Sequence, residues 1–146
     1  MKIGIAGAGF MGITHAQAWS DTDAQIAGIV AETMEEAQPL ASQYEATIYT
    51  DFAAMLVNVD VVDICTPTHL HYEMVLEAAA HGVHAICEKP LARTVAQASE
   101  MVAACREAGV RLLVAHVVRF FPEYALAKAS VEAGNIGCLL YTSPSP

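Results

Sequence analysis

At 146 residues and 55% apolar, the chain can bury one sizeable core, and one domain is the default organisation. A formal net charge of −9 argues against nucleic acid and anionic membrane surfaces as partners, because both need lysine and arginine patches. No apolar run approaches the length of about 20 residues that a bilayer crossing needs.

The chain opens on an apolar run of strand length, Lys2-Ile3-Gly4-Ile5-Ala6. It feeds Gly7-Ala8-Gly9-Phe10-Met11-Gly12 and then a helix over Ile13 to Ser20. A Gly-x-Gly-x-x-Gly turn between strand and helix is the dinucleotide-binding pattern. Gly7 allows the bend out of the strand, Gly9 removes a side chain where a pyrophosphate approaches, and Gly12 lets the helix pack closely. The phosphates would sit beside Phe10 and Met11 on the helix N-terminus, where free N–H groups and the helix dipole favour anions. In so acidic a chain, backbone amides and helix ends must do this holding. Lys2, the apolar run and Ala16-Gln17-Ala18 also mimic a signal peptide, but four glycines in twelve residues make a poor apolar helix.

Further along, Gln25 to Val30 reads as a strand, and Thr33 to Tyr44 as a helix with Ala37, Leu40, Ala41 and Tyr44 on one face. Ile48-Tyr49 is a short strand and Asp51 to Val57 a short helix. Val59 to Cys65 is a β-branched strand ending in Thr66-Pro67, and His69 to His81 a helix closed by Gly82. Val83 to Cys87 forms the next strand, followed by Glu88-Lys89-Pro90. Thr94 to Ala108 is a helix ending at Gly109, Val110 to Val118 a strand, and Pro122 to Ala133 a helix with Pro122 in its first turn. Apolar strands alternating with helices predict an α/β fold: an open, doubly wound parallel sheet covered on both faces. Ligands of such sheets bind beyond the carboxyl ends of the strands. The candidate positions are therefore Gly7–Gly12, Ala31-Glu32, Thr66–His71, Glu88–Pro90 and His116–Arg119.

Glu32, twenty positions past Gly12, stands where an acid commonly hydrogen-bonds the adenosine ribose. Its carboxylate would repel a 2′-phosphate and favour NAD over NADP; the plain alternative is an exposed acid at a strand end. Pro67 forces an extended backbone along which the hydroxyls of Thr66 and Thr68, and His71, could meet a cofactor. His69, His71 and Glu73, or His81, His84 and Cys87, crowd potential metal ligands, but neither set has an established metal spacing, and no metal is expected. Lys89, directly after an apolar strand, could pass a substrate hydroxyl's proton during hydride transfer, with partial burial lowering its pKa. The alternative is a solvated Glu/Lys turn. Cys65, Cys87, Cys105 and Cys138 show no Cys-x-x-Cys spacing, so free thiols in a reducing cytoplasm are the simplest reading.

Together these motifs resemble the glucose–fructose oxidoreductase and inositol dehydrogenase family of nicotinamide-dependent enzymes. The residues that carry the resemblance are Gly7 to Gly12, Thr66-Pro67-Thr68-His69-Leu70-His71, Glu88-Lys89-Pro90-Leu91, Arg119-Phe120-Phe121-Pro122 and Gly134-Asn135-Ile136-Gly137. It implies a Rossmann cofactor domain over residues 1–137, with NAD or NADP as cofactor and a sugar, cyclitol or related polyol as substrate. By the same resemblance Lys89 is the lysine near nicotinamide and substrate. Glu88, Thr66, Pro67 and His71 would lie along the ribose and nicotinamide half, with Arg119 a further cofactor contact. A full-length protein of this kind is expected to be a homo-oligomer. The runner-up reading is a non-catalytic dinucleotide sensor or regulatory module.

Two features depart from the family pattern. Ala31 stands where the family usually ends its second strand with an acid, and Glu32 follows one position later. Family members also continue for on the order of 200 further residues, more than one ordinary domain core. That second domain supplies most of the substrate pocket, so a chain lacking it is expected to turn nothing over. Residues 138–146, Cys138-Leu139-Leu140-Tyr141-Thr142-Ser143-Pro144-Ser145-Pro146, resemble translated sequencing-adapter read-through. A non-native or truncated tail is expected there, the alternative being a native strand start cut short.

Overall fold

The computed structural model describes residues 1–135. Ile136-Gly137 and the 138–146 tail, with Cys138, lie outside the described residues. Met1–Ala115 forms one compact unit, and a second begins at His116.

In the first unit six strands alternate with five helices. They run β1 (Lys2–Ala6), α1 (Phe10–Ser20), β2 (Gln25–Val30), α2 (Met34–Tyr44), β3 (Thr47–Tyr49) and α3 (Phe52–Leu56). Then come β4 (Val61–Ile64), α4 (Thr68–Ala80), β5 (His84–Cys87), α5 (Val95–Glu107) and β6 (Leu112–Val114). The sheet is parallel throughout, in the order β3-β2-β1-β4-β5-β6. The order reverses between β1 and β4, which makes their carboxyl ends the switch point at which open α/β sheets bind ligands.

Strand alternation distributes the core between the two faces. Ile3 and Ile5 of β1 and Val61 of β4 pack with Ala16 of α1 and with Ala37, Leu40 and Ala41 of α2. Val62 and Ile64 of β4 and Ala85 and Cys87 of β5 turn the other way. They pack with Met55 of α3, Val75, Ala78 and Ala79 of α4, and Met101 and Cys105 of α5. Asp63, between Val62 and Ile64, consequently points to the α1 side, and it is fully buried there.

Most helix starts are closed by their own side chains. Thr33, Asp51 and Thr94 accept from the backbone N–H of Glu36, Ala54 and Gln97 at 3.2, 3.0 and 3.2 Å. Glu35 and Glu36 add negative charge to the first turn of α2. Like α4, whose N-cap is Pro67, helix α1 has neither device: Gly9 is its N-cap, with no side-chain bond and no acid in the first turn. Its first amides are left for something else.

The expected elements are all present, most within one residue of the expected bounds; β4 begins at Val61 and not Val59, and two others are displaced further. Helix α1 begins at Phe10, inside the glycine turn, and not at Ile13. The strand expected over Val110 to Val118 spans only Leu112–Val114. A strand needs a partner, and β5 ends at Cys87, which pairs with Val114. The β-branched Val117 and Val118 instead enter a 3₁₀ turn, Val117–Phe120. That turn and α6 (Pro122–Glu132), with Pro122 in its first turn, belong to the second unit.

Candidate active site: a dinucleotide cleft

A cleft of about 810 Å³ opens at the switch point. That is ample for a small-molecule or cofactor site, which typically measures about 300–1,000 Å³. Gly7, Gly9, Phe10 and Met11 form one wall, Ala31, Glu32 and Glu36 another, and Cys65, Thr66, Pro67 and His69 a third. No lysine or arginine is among the lining residues. An anion here is left to backbone N–H groups and uncharged donors such as the Thr66 hydroxyl.

The geometry of the turn explains its glycines. Gly7 has φ +98°, and a Cβ on it would lie 2.9 Å from the carbonyl carbon and oxygen of Cys65. It therefore needs both the left-handed backbone and the empty space. A Cβ on Gly12 would stand 1.9 Å from the Gly7 carbonyl oxygen, so this glycine is what brings α1 against the strand end. Nothing lies within 4 Å of the corresponding point on Gly9. The space at Gly9 is open, and it faces the uncapped amides of α1. Such a helix start is a ready anion site.

Glu32 is exposed and lines the cleft two residues beyond the end of β2, so its carboxylate is free to meet a ligand. Thr66 and Pro67 also line the cleft, whereas Thr68 opens α4 and is not part of the lining. Arg119 falls in the second unit, on the turn Val117–Phe120.

Two residues expected to lie along a cofactor are instead turned into the protein. His71 is 1% exposed, with Nε2 2.8 Å from the Thr66 carbonyl and Nδ1 3.0 Å from the Pro90 carbonyl. It ties the end of β4 to the chain beyond β5. Glu88 is also buried, and its carboxylate bonds His15 and the Lys89 backbone N–H. Both face inward because two adjacent strand ends must be joined, and a buried polar group needs a partner. Lys89 was expected to be partly buried; it is exposed, at the carboxyl end of β5, and the Lys89–Pro90 peptide is cis.

Neither crowded histidine set is brought together. His69 and Glu73 are exposed while His71 is buried. His81 Nδ1 donates to the Glu77 carbonyl at 2.9 Å, and His84 Nδ1 accepts the Arg111 N–H at 3.1 Å. Cys87 points into the core on the α4–α5 face.

A different cluster, unread in the sequence, lies beneath the cleft. His15 Nδ1 is 3.0 Å from each carboxylate oxygen of Asp63, and its Nε2 is 3.2 Å from Glu88 Oε1. Trp19 Nε1 donates to Asp63 Oδ2 at 2.7 Å, and the Cys65 thiol donates to Asp63 Oδ1 at 3.6 Å. The hydrogen bond to Asp63 raises the His15 pKa above 6.5; burial opposes this, and the Asp63 and Glu88 charges add to it. Burial, reinforced by both carboxylates, pushes the Cys65 thiol up, and burial pushes Cys87 up to about 12. Both thiols are held protonated near neutral pH. The available signal was a lone acid in the apolar run Val61-Val62-Asp63-Ile64, facing a helix with His15 and Trp19 four apart on one side.

The strand order, the switch-point cleft and the glycine turn on an open helix start together define a dinucleotide-binding domain of the doubly wound type. The chain belongs to the glucose–fructose oxidoreductase and inositol dehydrogenase family. The family model described as "Oxidoreductase family, NAD-binding Rossmann fold" matches residues 1–116. Over 73% of its length the chain is 38% identical to a 2,7-anhydro-N-acetylneuraminate hydratase of Mediterraneibacter gnavus. Over 96% it is 35% identical to a levoglucosan dehydrogenase of Pseudarthrobacter phenanthrenivorans. It spans 29% and 39% of the lengths of these two relatives. A solved oxidoreductase from Agrobacterium radiobacter, in complex with NAD+, L-tartaric acid and magnesium, superposes with a TM-score of 0.86 at 34% identity, covering 94% of this chain and 42% of that one.

Proposed function

We propose that residues 1–137 are the cofactor half of a longer nicotinamide-dependent oxidoreductase, which moves hydride to or from a carbinol carbon of a sugar or related polyol. The observation that carries this reading is the uncapped start of α1 beside the open space at Gly9. The amides of Phe10, Met11 and Gly12 would take the pyrophosphate there. Glu32 would accept from the adenosine ribose, with NAD favoured over NADP because a 2′-phosphate would meet this acid and Glu36 on the same wall of the cleft. When bound, the nicotinamide supplies the hydride acceptor or donor.

Thr66 and Pro67 would line the path from pyrophosphate toward nicotinamide, and Lys89, at the adjoining strand end, would hold or accept the substrate hydroxyl proton. Arg119 is proposed as a further cofactor contact. One relative is named a hydratase and another a dehydrogenase; hydride transfer is supported here by the cleft and by Lys89 at the adjoining strand end. A non-catalytic sensor would have no use for a lysine at that strand end.

Titration of cofactor fluorescence tests the binding half. NADH is expected to bind more tightly than NADPH, and Glu32→Gln is expected to narrow the difference; equal affinities in both proteins contradict the role of Glu32. In a protein that also carries the remaining length of its relatives, Lys89→Ala is expected to abolish hydride transfer while leaving NADH affinity intact. Unchanged turnover removes Lys89 from the mechanism.

A further inference from the structure

Helix α1 does a second task one turn past the phosphate turn. His15 reaches two carboxylates on different strands, Asp63 of β4 through Nδ1 and Glu88 after β5 through Nε2. Ionised carboxylates only accept hydrogen bonds, so making both contacts requires a proton on each ring nitrogen. The other oxygen of Glu88 accepts the Lys89 backbone N–H at 2.8 Å. A run of hydrogen bonds thus leads from α1, through Glu88, to the peptide that carries Lys89.

We infer that His15 is a positioning residue, whose imidazolium, shared by Asp63 and Glu88, fixes the Lys89 turn relative to the phosphate-binding start of α1. The inference rests on the reading that Lys89 meets the nicotinamide end of the cleft. Asp63 does not depend on His15 alone for its placement, because Trp19 Nε1 also donates to its Oδ2. Glu88 has no such second side-chain support among the described residues, so the His15 bond is what orients it.

The groups that face the ring are all identified: Asp63 on β4, Cys65 just after it, and Glu88 beyond β5. The ring is not sealed. Its side chain keeps 18% exposure, at a hollow of about 330 Å³ between Trp19 and Ile86, so it can exchange protons with water. Raising the pH through the His15 pKa removes one proton, and one of the two bonds must go. The bond to Glu88 is the longer, and its loss frees the turn.

Nitrogen-resolved NMR of the 146-residue chain, followed from pH 6 to 10, tests this directly. Both His15 ring nitrogens are expected to be protonated at pH 6. The Lys89 amide proton is expected to shift with the same midpoint as the ring. Across that midpoint NADH affinity should fall by at least about fivefold, the lower end of typical site-to-site coupling. Affinity for ADP, which reaches only the phosphate turn, should stay flat.

His15→Gln should bind NADH at the weak, high-pH level throughout, with no pH dependence. A Lys89 amide that ignores the His15 titration overturns the proposal, as does a ring nitrogen left bare at pH 6. NADH affinity that holds constant through the His15 midpoint overturns it too. If the amide follows His15 but no NADH binds at any pH, the positioning chain stands and the dinucleotide reading fails.

Discussion

The first two turns of α1 solve opposite problems. At Phe10–Gly12 the helix offers bare backbone: no cap, no acid, no nearby Cβ at Gly9, and a cleft in front. At His15, one turn on, it offers an imidazole packed between two buried carboxylates. The first region works by what it lacks, so that a ligand can supply the missing partners. The second works by pairing every polar group within the protein, which makes it a joint. A single helix is left open at its start and locked one turn later, and the lock is what lets the open end face a defined Lys89 turn.

The sharpest way to break this contrast is at Asp63. Asp63→Ala leaves the Trp19 and His15 N–H groups without their acceptor in a buried site, and is expected to cost about 3–5 kcal/mol in urea unfolding. Asp63→Asn keeps an oxygen for Trp19 and should cost distinctly less; equal losses would mean that volume, and not pairing, matters there.

Gly12→Ala and Gly9→Ala separate fold from ligand within the turn. Gly12→Ala brings its Cβ to 1.9 Å from the Gly7 oxygen, and forcing the helix outward is expected to cost about 1–3 kcal/mol and most cofactor binding. Gly9→Ala meets nothing within 4 Å and keeps stability within about 1 kcal/mol. Its methyl fills the proposed pyrophosphate site, so NADH affinity should fall about tenfold or more, equivalent to about 1.4 kcal/mol. Unfolding curves and fluorescence titrations on the same two proteins decide whether the separation holds.

The smallest effect is the pH dependence of stability. His15 has a folded pKa above its unfolded value near 6.5, so the folded protein holds the proton more tightly. Its contribution is complete below about pH 6.5 and is lost as pH rises through the folded pKa. Unfolding free energy should therefore decline from pH 6 toward pH 9 in the natural chain, and His15→Gln should remove that part of the slope. A slope identical in the two proteins would show that His15 does not hold a shifted proton.

The two regions also differ in how far they could be read before the structure was known. The phosphate turn is local: strand, three glycines and helix lie within Lys2–Ser20, so residue type and spacing suffice. The sheet was legible for the same reason, because each apolar run and each terminating glycine speaks for its own element. His15, Asp63 and Glu88 stand 48 and 25 residues apart along the chain and meet only once β1, β4 and β5 are paired. Nothing local marks them except one acid in an apolar strand. The same limit explains the placements that changed. Glu88 directly follows β5 and His71 lies in the first turn of α4, but side-chain direction depends on the neighbouring strand end and turned both inward. Strand β6 came out short because its partner stops at Cys87, which its own sequence does not record.

The most direct test of the account is a map of backbone amide shifts on adding NAD+ to the natural chain. The account predicts that the amides of Gly9, Phe10, Met11 and Gly12 move most, with Glu32 and Thr66 following and the cap of α5 unmoved. Shifts centred away from the start of α1, or none at saturating NAD+, would contradict it.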